Sequence, residues 1–352
     1  MFLYCTADTV GLNSGGGKVT YQECKALSSL GETLLFDRKY LTSHSKYPMN
    51  DPWDWDREAL QDLPDDRDAD LAHFYSGTFS ETVSYLKRSG TKVVYTVAAH
   101  SIEASRREHE KYGINYSKLY PHLCDPDLWN RYSKGYFESD VLVAPSQHSK
   151  EVLEHQGAKN RIEVIPHGCD YPTGIRPLPR DFVVGYMGAV GPDKGLKYLI
   201  EAWKKLDYKN AILILAGRES ISDHVRNLIF QIGGGNIILL GWVNDLFDFY
   251  SQLNLYIQPS VTEGFGIEVI EAMAHGRPVL CSEGAGAKDA VDTEFRFPPC
   301  DSESLANLID KVKSFPTSLM EDWSKHNREK AKDYTWDKVR SRYLSLWEQL
   351  LQ

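Results

Sequence analysis

Short apolar runs alternate with helical repeats along most of the chain. In the first half, apolar runs predict strands at 2–5, 33–36, 71–75, 92–97, 141–144 and 162–165. Between them, apolar residues at helical spacing predict helices at 19–30, 80–88, 102–112, 126–137 and 149–156. Strands that alternate with helices in this way form a parallel sheet with right-handed crossovers. The segment 37–70 is different, because it is rich in Asp, Pro and Trp without a clear period; it predicts a surface excursion whose acids form a solvated face.

The second half repeats this design after a cluster of prolines. Pro172, Pro177 and Pro179 follow the last of those strands and mark the predicted domain boundary. Further strands are predicted at 182–187, 211–216, 236–240, 253–257 and 278–281, and an amphipathic helix is predicted at 334–352. We therefore predict an α/β fold of two Rossmann-like, doubly wound domains, 1–171 and 172–333, which face each other across a ligand-binding cleft.

One stretch of the second half combines a turn with acidic residues. The apolar run 253–257 is followed by Pro259, which cannot continue a central strand. Two glycines come next, and apolar residues then repeat at helical spacing from Ile267. Glu263 lies in the loop, and Glu271 lies just over one turn into the helix. The stretch is therefore a strand, a glycine loop and a helix, with a carboxylate on each side of the turn.

The start of that helix is a natural anion site, because the first amide groups of a helix have no partner within it. The amides that would bind a diphosphate belong to Gly264, Phe265, Gly266 and Ile267. A carboxylate beside the diphosphate would accept hydrogen bonds from hydroxyl pairs, so Glu271 is predicted to bind a ribose diol and Glu263 a hexose diol. The alternative is structural, since acidic residues near a helix N-terminus are favourable without any ligand.

Composition narrows the class of protein. The chain has 352 residues, of which 42% are hydrophobic and 25% charged, as in soluble globular proteins. A net charge of −9 argues against a nucleic-acid partner. The six cysteines are scattered without a CxxC spacing, which favours reduced thiols in the cytoplasm and predicts no metal cluster. The sequence begins without the basic flank of a signal peptide, and no apolar run has the length of a membrane span.

The acidic motif of the second half is specific enough to identify a family. Glu263-Gly-Phe-Gly, followed by Glu271-Ala-Met-Ala-x-Gly-x-Pro-Val, resembles the hallmark of the retaining glycosyltransferases of family 4, in which seven residues separate two glutamates. That family has the two-domain GT-B fold. The resemblance covers most of the chain and is strongest from Asp140 to Val291. It favours a functional role for both glutamates over the structural alternative.

Other segments resemble the same family in order along the chain. Val164-Ile-Pro-His-Gly-Cys-Asp170 resembles the family's interdomain turn, although His167 stands where Asn is usual. Leu239-Leu-Gly-Trp-Val243 resembles the segment along the nucleotide base, which implies a base contact for Val243. The helix that opens at Trp336 is similar to one that crosses back to the N-terminal domain, so 334–352 is expected to do the same.

The resemblance also implies roles in the first half of the chain. In the glycine loop after the first strand, Gly15 and Gly16 would approach the diphosphate closely, which the small size of glycine permits. His100, at a strand end, would contact the donor hexose, whereas His73 is interpreted as structural. The alternatives are a plain glycine turn and a buried, hydrogen-bonded histidine.

One loop departs from the family pattern. The segment from Gly188 to Gly195 resembles the loop that carries an arginine and a lysine to the diphosphate. Lys194 is present, but Ala189 stands at the arginine position, and Arg218 is a candidate replacement. Because two cations normally neutralise the charge that builds up on the leaving diphosphate, the loss of one would slow catalysis unless another residue substitutes.

These inferences together predict a retaining hexosyltransferase that moves a hexose from a nucleotide diphosphate sugar to an acceptor hydroxyl. The predicted catalytic residues are His100, Lys194 and Glu263. No cofactor and no essential metal are expected; the donor is a substrate, with UDP favoured by its frequency in the family and GDP as the alternative. The acceptor is a glycan, a lipid-linked glycan or a small molecule, and the expected location is the cytoplasm, with peripheral contact at the inner face of the membrane compatible with the composition.

Two other functions fit parts of the pattern. A nicotinamide-dependent oxidoreductase would need G-x-G-x-x-G directly after a strand, with an acid about twenty residues further on. Ser14-Gly-Gly-Gly lies too far past Cys5 and lacks that pattern. The stronger alternative is a non-catalytic or weakened nucleotide-sugar-binding protein, and Ala189 is the observation that favours it.

Overall fold

The chain forms two compact units, each built on one parallel sheet of six strands. The computed structural model describes residues 1–6, 10, 15–44, 52–63, 69–76, 79–97, 102–115, 133–189, 191–217, 221–232 and 236–352. The first unit comprises Met1–Ala104, Tyr120–Gly168 and Trp336–Gln352. The second comprises Ser105–Leu119 and Cys169–Thr335. The two doubly wound α/β sheets predicted from the sequence are confirmed.

The sheet of the first unit has the order β2-β1-β3-β4-β5-β6, with every pair parallel. Its strands are β1 Phe2–Thr6, β2 Thr33–Phe36, β3 Leu71–Tyr75, β4 Lys92–Thr96, β5 Val141–Ala144 and β6 Arg161–Val164. The central strands are buried along their length, as continuous apolar runs require in a sheet that is covered on both faces. All six lie within one residue of the predicted positions at each end.

Helices lie between these strands along the chain, and the C-terminal helix also belongs to the first unit. They are α1 Gly15–Ser28, α2 Arg38–His44, α3 Pro52–Gln61, α4 Ser80–Arg88, α5 Ile102–Lys111 and α6 Gln147–His155, together with a helical segment at 133–138. Most of α5 belongs to the second unit, whereas the C-terminal helix, Trp336–Leu351, belongs to the first. The remainder of the predicted helix 126–137 lies outside the described residues.

Two predictions for the first half are wrong. The glycines Gly15 and Gly16 lie in the first turn of α1 rather than in a loop. The segment 37–70 contains α2 and α3, its acids are not all solvated, and Pro52 opens α3 at the position where proline is tolerated best.

An acid in that segment also has a role that the sequence did not indicate. Asp56 is buried, not solvated. Its two carboxylate oxygens accept hydrogen bonds from the backbone N–H groups of Glu81, at 2.6 Å, and Thr82, at 2.8 Å. Since these are first-turn amides of α4, Asp56 caps that helix from 25 residues upstream.

A buried polar network joins the first sheet to the C-terminal helix, and we call it the His73 network. Its members are Tyr4, Glu23, His73, Thr96, Tyr343 and Trp347. The hydroxyl of Tyr4 donates to Oε2 of Glu23 at 2.6 Å, and Nε1 of Trp347 donates to Nδ1 of His73 at 3.1 Å. Nδ1 of His73 is therefore an acceptor, which leaves the ring proton on Nε2, 2.9 Å from Thr96 Oγ1 and 3.4 Å from Glu23 Oε2. The structural interpretation of His73 agrees with this geometry.

The sheet of the second unit has the order β12-β11-β10-β7-β8-β9, again with every pair parallel. Its strands are β7 Phe182–Met187, β8 Ala211–Ala216, β9 Ile237–Gly241, β10 Leu255–Gln258, β11 Val279–Ser282 and β12 Arg296–Phe297. The short strand β12 was not predicted. Its two residues are too few to show a repeat.

The helices of the second half follow the same alternation. They are α7 Leu196–Leu206, α8 Ile221–Ile232, α9 Leu246–Ser251, α10 Ile267–Ala274, α11 Ser302–Lys313, α12 Thr317–Ala331 and the C-terminal helix α13 Trp336–Leu351. The predicted amphipathic character of α13 is confirmed, because its apolar residues Trp336, Val339, Tyr343, Leu346 and Trp347 are buried. Among the described residues, every helix is too short or too polar to cross a lipid bilayer.

Candidate functional site

The second sheet has a topological switch point between its two middle strands. From β7 the chain moves outward through β8 to β9, and from β10 it moves outward in the other direction through β11 to β12. In doubly wound sheets, ligands bind outside the carboxyl ends of the strands at such a point. The segments that follow β7 and β10 are the loop at 188–195 and the loop at 259–266, which are the two loops that the sequence singled out.

Tyrosine hydroxyls hold the start of the first loop. Tyr186 donates to the carbonyl oxygen of Ala189 at 2.6 Å, and Tyr256 lies 3.2 Å from the carbonyl oxygen of Met187. Between these two carbonyls, Gly188 has φ of +155°, and a Cβ there would lie 2.8 Å from the Tyr186 hydroxyl. One tyrosine of β7 and one of β10 therefore fix the main chain where the loop leaves β7.

The two loops are in direct backbone contact. The carbonyl oxygen of Asp193 accepts a hydrogen bond from the amide of Val261 at 2.7 Å. Gly195 has φ of +66°, and a Cβ at this position would overlap the carbonyl oxygen of Pro259. Glycine is therefore required at 195 both for its conformation and for this close approach. Lys194 lies between these two contacts, so its backbone is fixed against the loop at 259–266.

The helix after the second loop begins where the sequence predicted. Gly266 precedes α10 with φ of +92°, and no side chain caps the helix. The first amides of α10 are therefore not bonded to a capping side chain, and they point toward the loop. Arg277 fixes the other end of α10, because its guanidinium donates to the carbonyls of His275 and Leu253, each at 3.0 Å.

A neighbouring segment pins the loop that carries Glu263. The amide of Glu263 donates to Gly284 at 2.9 Å, and the amide of Gly286 donates back to the carbonyl of Glu263 at 3.0 Å. Ala287 donates to the carbonyl of Phe265 at 2.7 Å. These backbone bonds fix the main chain at Glu263 without using its carboxylate.

Lys194 and Glu263 form an ion pair across the two loops. Both side chains are half-buried, which leaves the pair accessible. Burial alone would lower the pKa of Lys194, but the Glu263 carboxylate outweighs it and raises that pKa. Lys194 is therefore a firmly charged cation beside the start of α10.

Glu271 lies one turn further along and is only 4% exposed. The hydroxyl of Tyr250 donates to its Oε2 at 3.2 Å, and the same hydroxyl lies 3.2 Å from the carbonyl of Glu268. Burial and then the Glu271 carboxylate raise the pKa of Tyr250 well above its ordinary value, so Tyr250 stays a donor. Tyr250 thus orients one oxygen of the carboxylate.

A third carboxylate in this region was missed. Glu268 lies in the first turn of α10 and is half-buried. Burial, and then the neighbouring Glu263 and Glu271, raise its pKa to about 7. Its position in the sequence, between the two glutamates of the motif, was the available signal. Glu263 and Glu268 both act on Lys194, and Glu271 acts on Glu268, so the site collects three carboxylates and one lysine.

The other predicted site residues stand as follows. Val243 lies between β9 and α9 and is half-buried. Gly15 and Gly16 belong to the first unit, in α1. His100 and Arg218 lie outside the described residues. Ala189 is exposed, and its carbonyl oxygen accepts a hydrogen bond from the hydroxyl of Tyr186. In the described part of the chain, no three His, Cys, Asp or Glu residues are placed to hold a metal ion.

Two family models match the chain, one in each half. "Glycosyltransferase Family 4" matches residues 15–171, and "Glycosyl transferases group 1" matches residues 175–330. The second match contains Lys194, Glu263 and Glu271. Together the two matches leave only the chain ends and a short connection uncovered.

Individual relatives and solved structures are similar to the chain as well. The capsular polysaccharide biosynthesis glycosyltransferase CapM of Staphylococcus aureus is 29% identical over 230 residues, which cover 58% of this chain and 60% of CapM. Sucrose-phosphate synthase from Thermosynechococcus elongatus superposes with a TM-score of 0.81 at 19% identity, over 99% of this chain and 98% of that one. HepE of Anabaena, solved in complex with UDP-glucose, has a TM-score of 0.72 at 19% identity, over 99% and 100% of the chains.

The structural matches confirm the predicted GT-B fold, and at this level of identity they concern the fold alone. The matched stretches cover between 44% and 60% of the lengths of the first curated relatives.

Proposed function

The chain belongs to the glycosyltransferases that the family 4 and group 1 models describe, and from this premise we propose that it transfers a hexose from a nucleotide diphosphate sugar to an acceptor hydroxyl. The observation that carries the proposal is the arrangement of Lys194, the start of α10 and two glutamates at the switch point of the second sheet. A cation and helix amides suit a diphosphate, and carboxylates suit the hydroxyls on either side of it.

In this proposal the diphosphate lies against Lys194 and the first amides of α10. Lys194 exchanges part of its contact with Glu263 for the phosphate oxygens. Glu271, oriented by Tyr250, accepts hydrogen bonds from the ribose hydroxyls, and Glu263 accepts them from the hexose. Val243 follows β9 and would lie along the base. His100 remains a predicted contact to the hexose.

We propose that transfer retains the configuration of the anomeric carbon. The acceptor oxygen forms its bond to that carbon on the face from which the phosphate oxygen leaves, and the leaving phosphate takes the acceptor's proton. Lys194 and the α10 amides stabilise the charge that develops on the diphosphate, which is the usual way such charge is stabilised in enzymes. No metal is invoked, because these groups already supply positive potential. UDP is the proposed nucleotide, with GDP as the alternative, and the name of CapM favours a glycan acceptor.

A thermal-shift screen against the UDP, GDP, ADP and dTDP sugars tests the donor class. A ligand that binds only the folded state at a hundred times its Kd adds about 2.7 kcal/mol to the free energy of unfolding, which raises the melting temperature by several degrees. We expect one nucleotide series to do so. If none of the four raises the melting temperature, the proposed function is wrong.

The second candidate is a nucleotide-sugar-binding protein without activity, and Ala189 is the observation that favours it. Hydrolysis and transfer assays with the stabilising sugar separate the two candidates. Release of the nucleoside diphosphate, with or without a glycan acceptor, supports the enzyme. Binding without any turnover supports the alternative.

A further inference from the structure

A histidine outside the motif reaches the loop that carries Lys194. His109 lies in α5, in the part of that helix that belongs to the second unit. Its side chain is fully buried. Nδ1 lies 2.7 Å from the carbonyl oxygen of Ser105, and Nε2 lies 3.5 Å from Oδ1 of Asp193. The ring therefore connects α5 to the residue that precedes Lys194.

The protonation of this ring follows from its partners. A carbonyl oxygen only accepts hydrogen bonds, so Nδ1 of His109 must carry a proton and donate it to Ser105. In the neutral ring, Nε2 would then present a lone pair to the Asp193 carboxylate, which is also an acceptor. The contact is attractive only when the pair carries one further proton, on the imidazolium or on the carboxylic acid, and at 3.5 Å it is longer than an ordinary hydrogen bond.

The surroundings of Asp193 support the presence of that proton. Burial and the Glu263 carboxylate raise the pKa of Asp193, against the opposing effects of His109 and Lys194. Asp193 therefore holds a proton more readily than an exposed aspartate. The charged groups that act on it are His109 from α5, its neighbour Lys194 and Glu263 from the second loop.

Asp193 is also the residue at which the two site loops meet. Its carbonyl oxygen accepts from the amide of Val261, and two residues later Gly195 lies against Pro259. A side chain anchored to α5 and a backbone anchored to the second loop leave the main chain of Asp193 little freedom. Lys194 is the next residue, so its reach toward Glu263 depends on this double anchor.

We propose that His109 is a positioning residue for the diphosphate: through its buried contact with the Asp193 carboxyl group, it fixes the loop from which Lys194 reaches the phosphate oxygens. The inference rests on the proposed function, because it needs a diphosphate at Lys194. His109 itself touches no substrate in this account. Its role is to keep Lys194 in place before the donor binds, so that binding costs less conformational entropy.

Substitutions at the two residues distinguish this role from simple packing. We expect Asp193→Ala and His109→Ala each to weaken binding of UDP or GDP about five- to tenfold, the size of coupling found between directly contacting groups. The double variant should be no worse than Asp193→Ala alone, since both changes remove the same contact. Asp193→Asn should restore most of the affinity, because its amide can donate to the Nε2 lone pair of the neutral ring.

The measurement is calorimetric titration of the full chain with UDP and with GDP, alongside thermal unfolding of each variant. His155→Ala is the matched control. His155 makes the same bond to the carbonyl four residues before it, Glu151, at 2.7 Å, but it is exposed and lies in the first unit. If His109→Ala is not folded, His109→Gln replaces it, because glutamine fills more of the buried space.

The outcomes separate this inference from the proposed function. If the wild-type protein binds neither UDP nor GDP, the proposed function fails and the inference fails with it. If the wild type binds and the His109 and Asp193 variants bind equally well, only the inference is overturned. Additive losses in the double variant, or an Asn variant as weak as the Ala variant, would also overturn it.

Discussion

Glu23 in the first unit and Glu268 in the second are both acidic residues inside a folded unit, but their surroundings differ. Glu23 is buried in the His73 network, where the hydroxyl of Tyr4 donates to it and His73 presents its Nε2 proton. Glu268 is half-buried and stands near two further carboxylates, Glu263 and Glu271. The first is surrounded by donors, and the second by groups of its own charge.

This difference indicates which cluster stabilises the fold and which serves a ligand. A buried carboxylate with several donors is typical of a structural network. Crowded carboxylates repel one another and cost stability, which a fold tolerates where a ligand will later supply the missing partners. The comparison predicts that substitutions in the His73 network lower stability and leave activity, that removal of Lys194 lowers activity, and that removal of a carboxylate charge beside Lys194 does not lower stability.

The largest expected effect is on stability, in the first unit. His73→Phe keeps a ring but removes both hydrogen-bonding nitrogens, so that Trp347 loses its acceptor and Glu23 loses a donor. A buried polar group that loses its partner costs about 1–3 kcal/mol, and more when the group is charged; two groups lose a partner here. Urea denaturation should show a loss of this size, while transfer activity per folded molecule is unchanged. His155→Phe, at an exposed histidine of the same unit, serves as the control.

If His73→Phe lowers activity of the folded protein as strongly as Lys194→Ala does, the comparison fails, since the His73 network would then serve function directly.

The next effect is on catalysis, in the second unit. Lys194→Ala removes a cation proposed to stabilise the leaving diphosphate, and removing one such preorganised group lowers kcat about 10²- to 10³-fold. Its free energy of unfolding should change little, because its partner Glu263 is accessible to water. Lys197→Ala is the matched control, since Lys197 is an exposed lysine three residues further on in α7. Equal turnover in the two variants would remove Lys194 from the mechanism.

The smallest effect has the opposite sign, because one carboxylate of the site should destabilise the fold. The pKa of Glu268 is raised from 4.5 to about 7, so the folded state holds a proton that the unfolded state releases between these values. Stability is therefore lost as the pH rises through that window. Glu268→Gln should match the wild type at pH 4 and exceed its free energy of unfolding at pH 8 by on the order of 2 kcal/mol.

Urea denaturation at the two pH values measures the difference. A Gln variant that is less stable than the wild type at pH 8 would mean that Glu268 is a partnered structural acid like Glu23, and the comparison between the two clusters would not hold.

Much of the fold could be predicted from the alternation of apolar runs and helical repeats. Local patterns located eleven of the twelve strands and the start of α10, because burial on both faces produces a continuous apolar run. The errors come from long-range or positional effects. Asp56 caps a helix 25 residues away, and the glycines at 15 and 16, which suggest a loop, lie in the first turn of α1.

The candidate site was predictable to the extent that its residues lie in the two loops that resemble the family pattern. Glu263, Glu271 and Lys194 were identified, and the structure brings the first and last together as an ion pair. Glu268 was missed, because its raised pKa depends on three-dimensional crowding. His109 was missed for a related reason: it lies 84 residues before Asp193 along the chain, and only the fold places its ring against that carboxylate.

The most direct test of the account is the affinity of Glu271→Gln for UDP and GDP, measured by titration calorimetry. The substitution keeps an acceptor for Tyr250 but removes the charge proposed to bind the ribose, and a hydrogen bond to a charged group contributes about 1.5–3 kcal/mol. We predict at least about a tenfold loss of affinity by that principle, with no loss in Glu294→Gln, an exposed glutamate of the same unit. Unchanged affinity in Glu271→Gln, or no binding by the wild-type protein, would contradict the account.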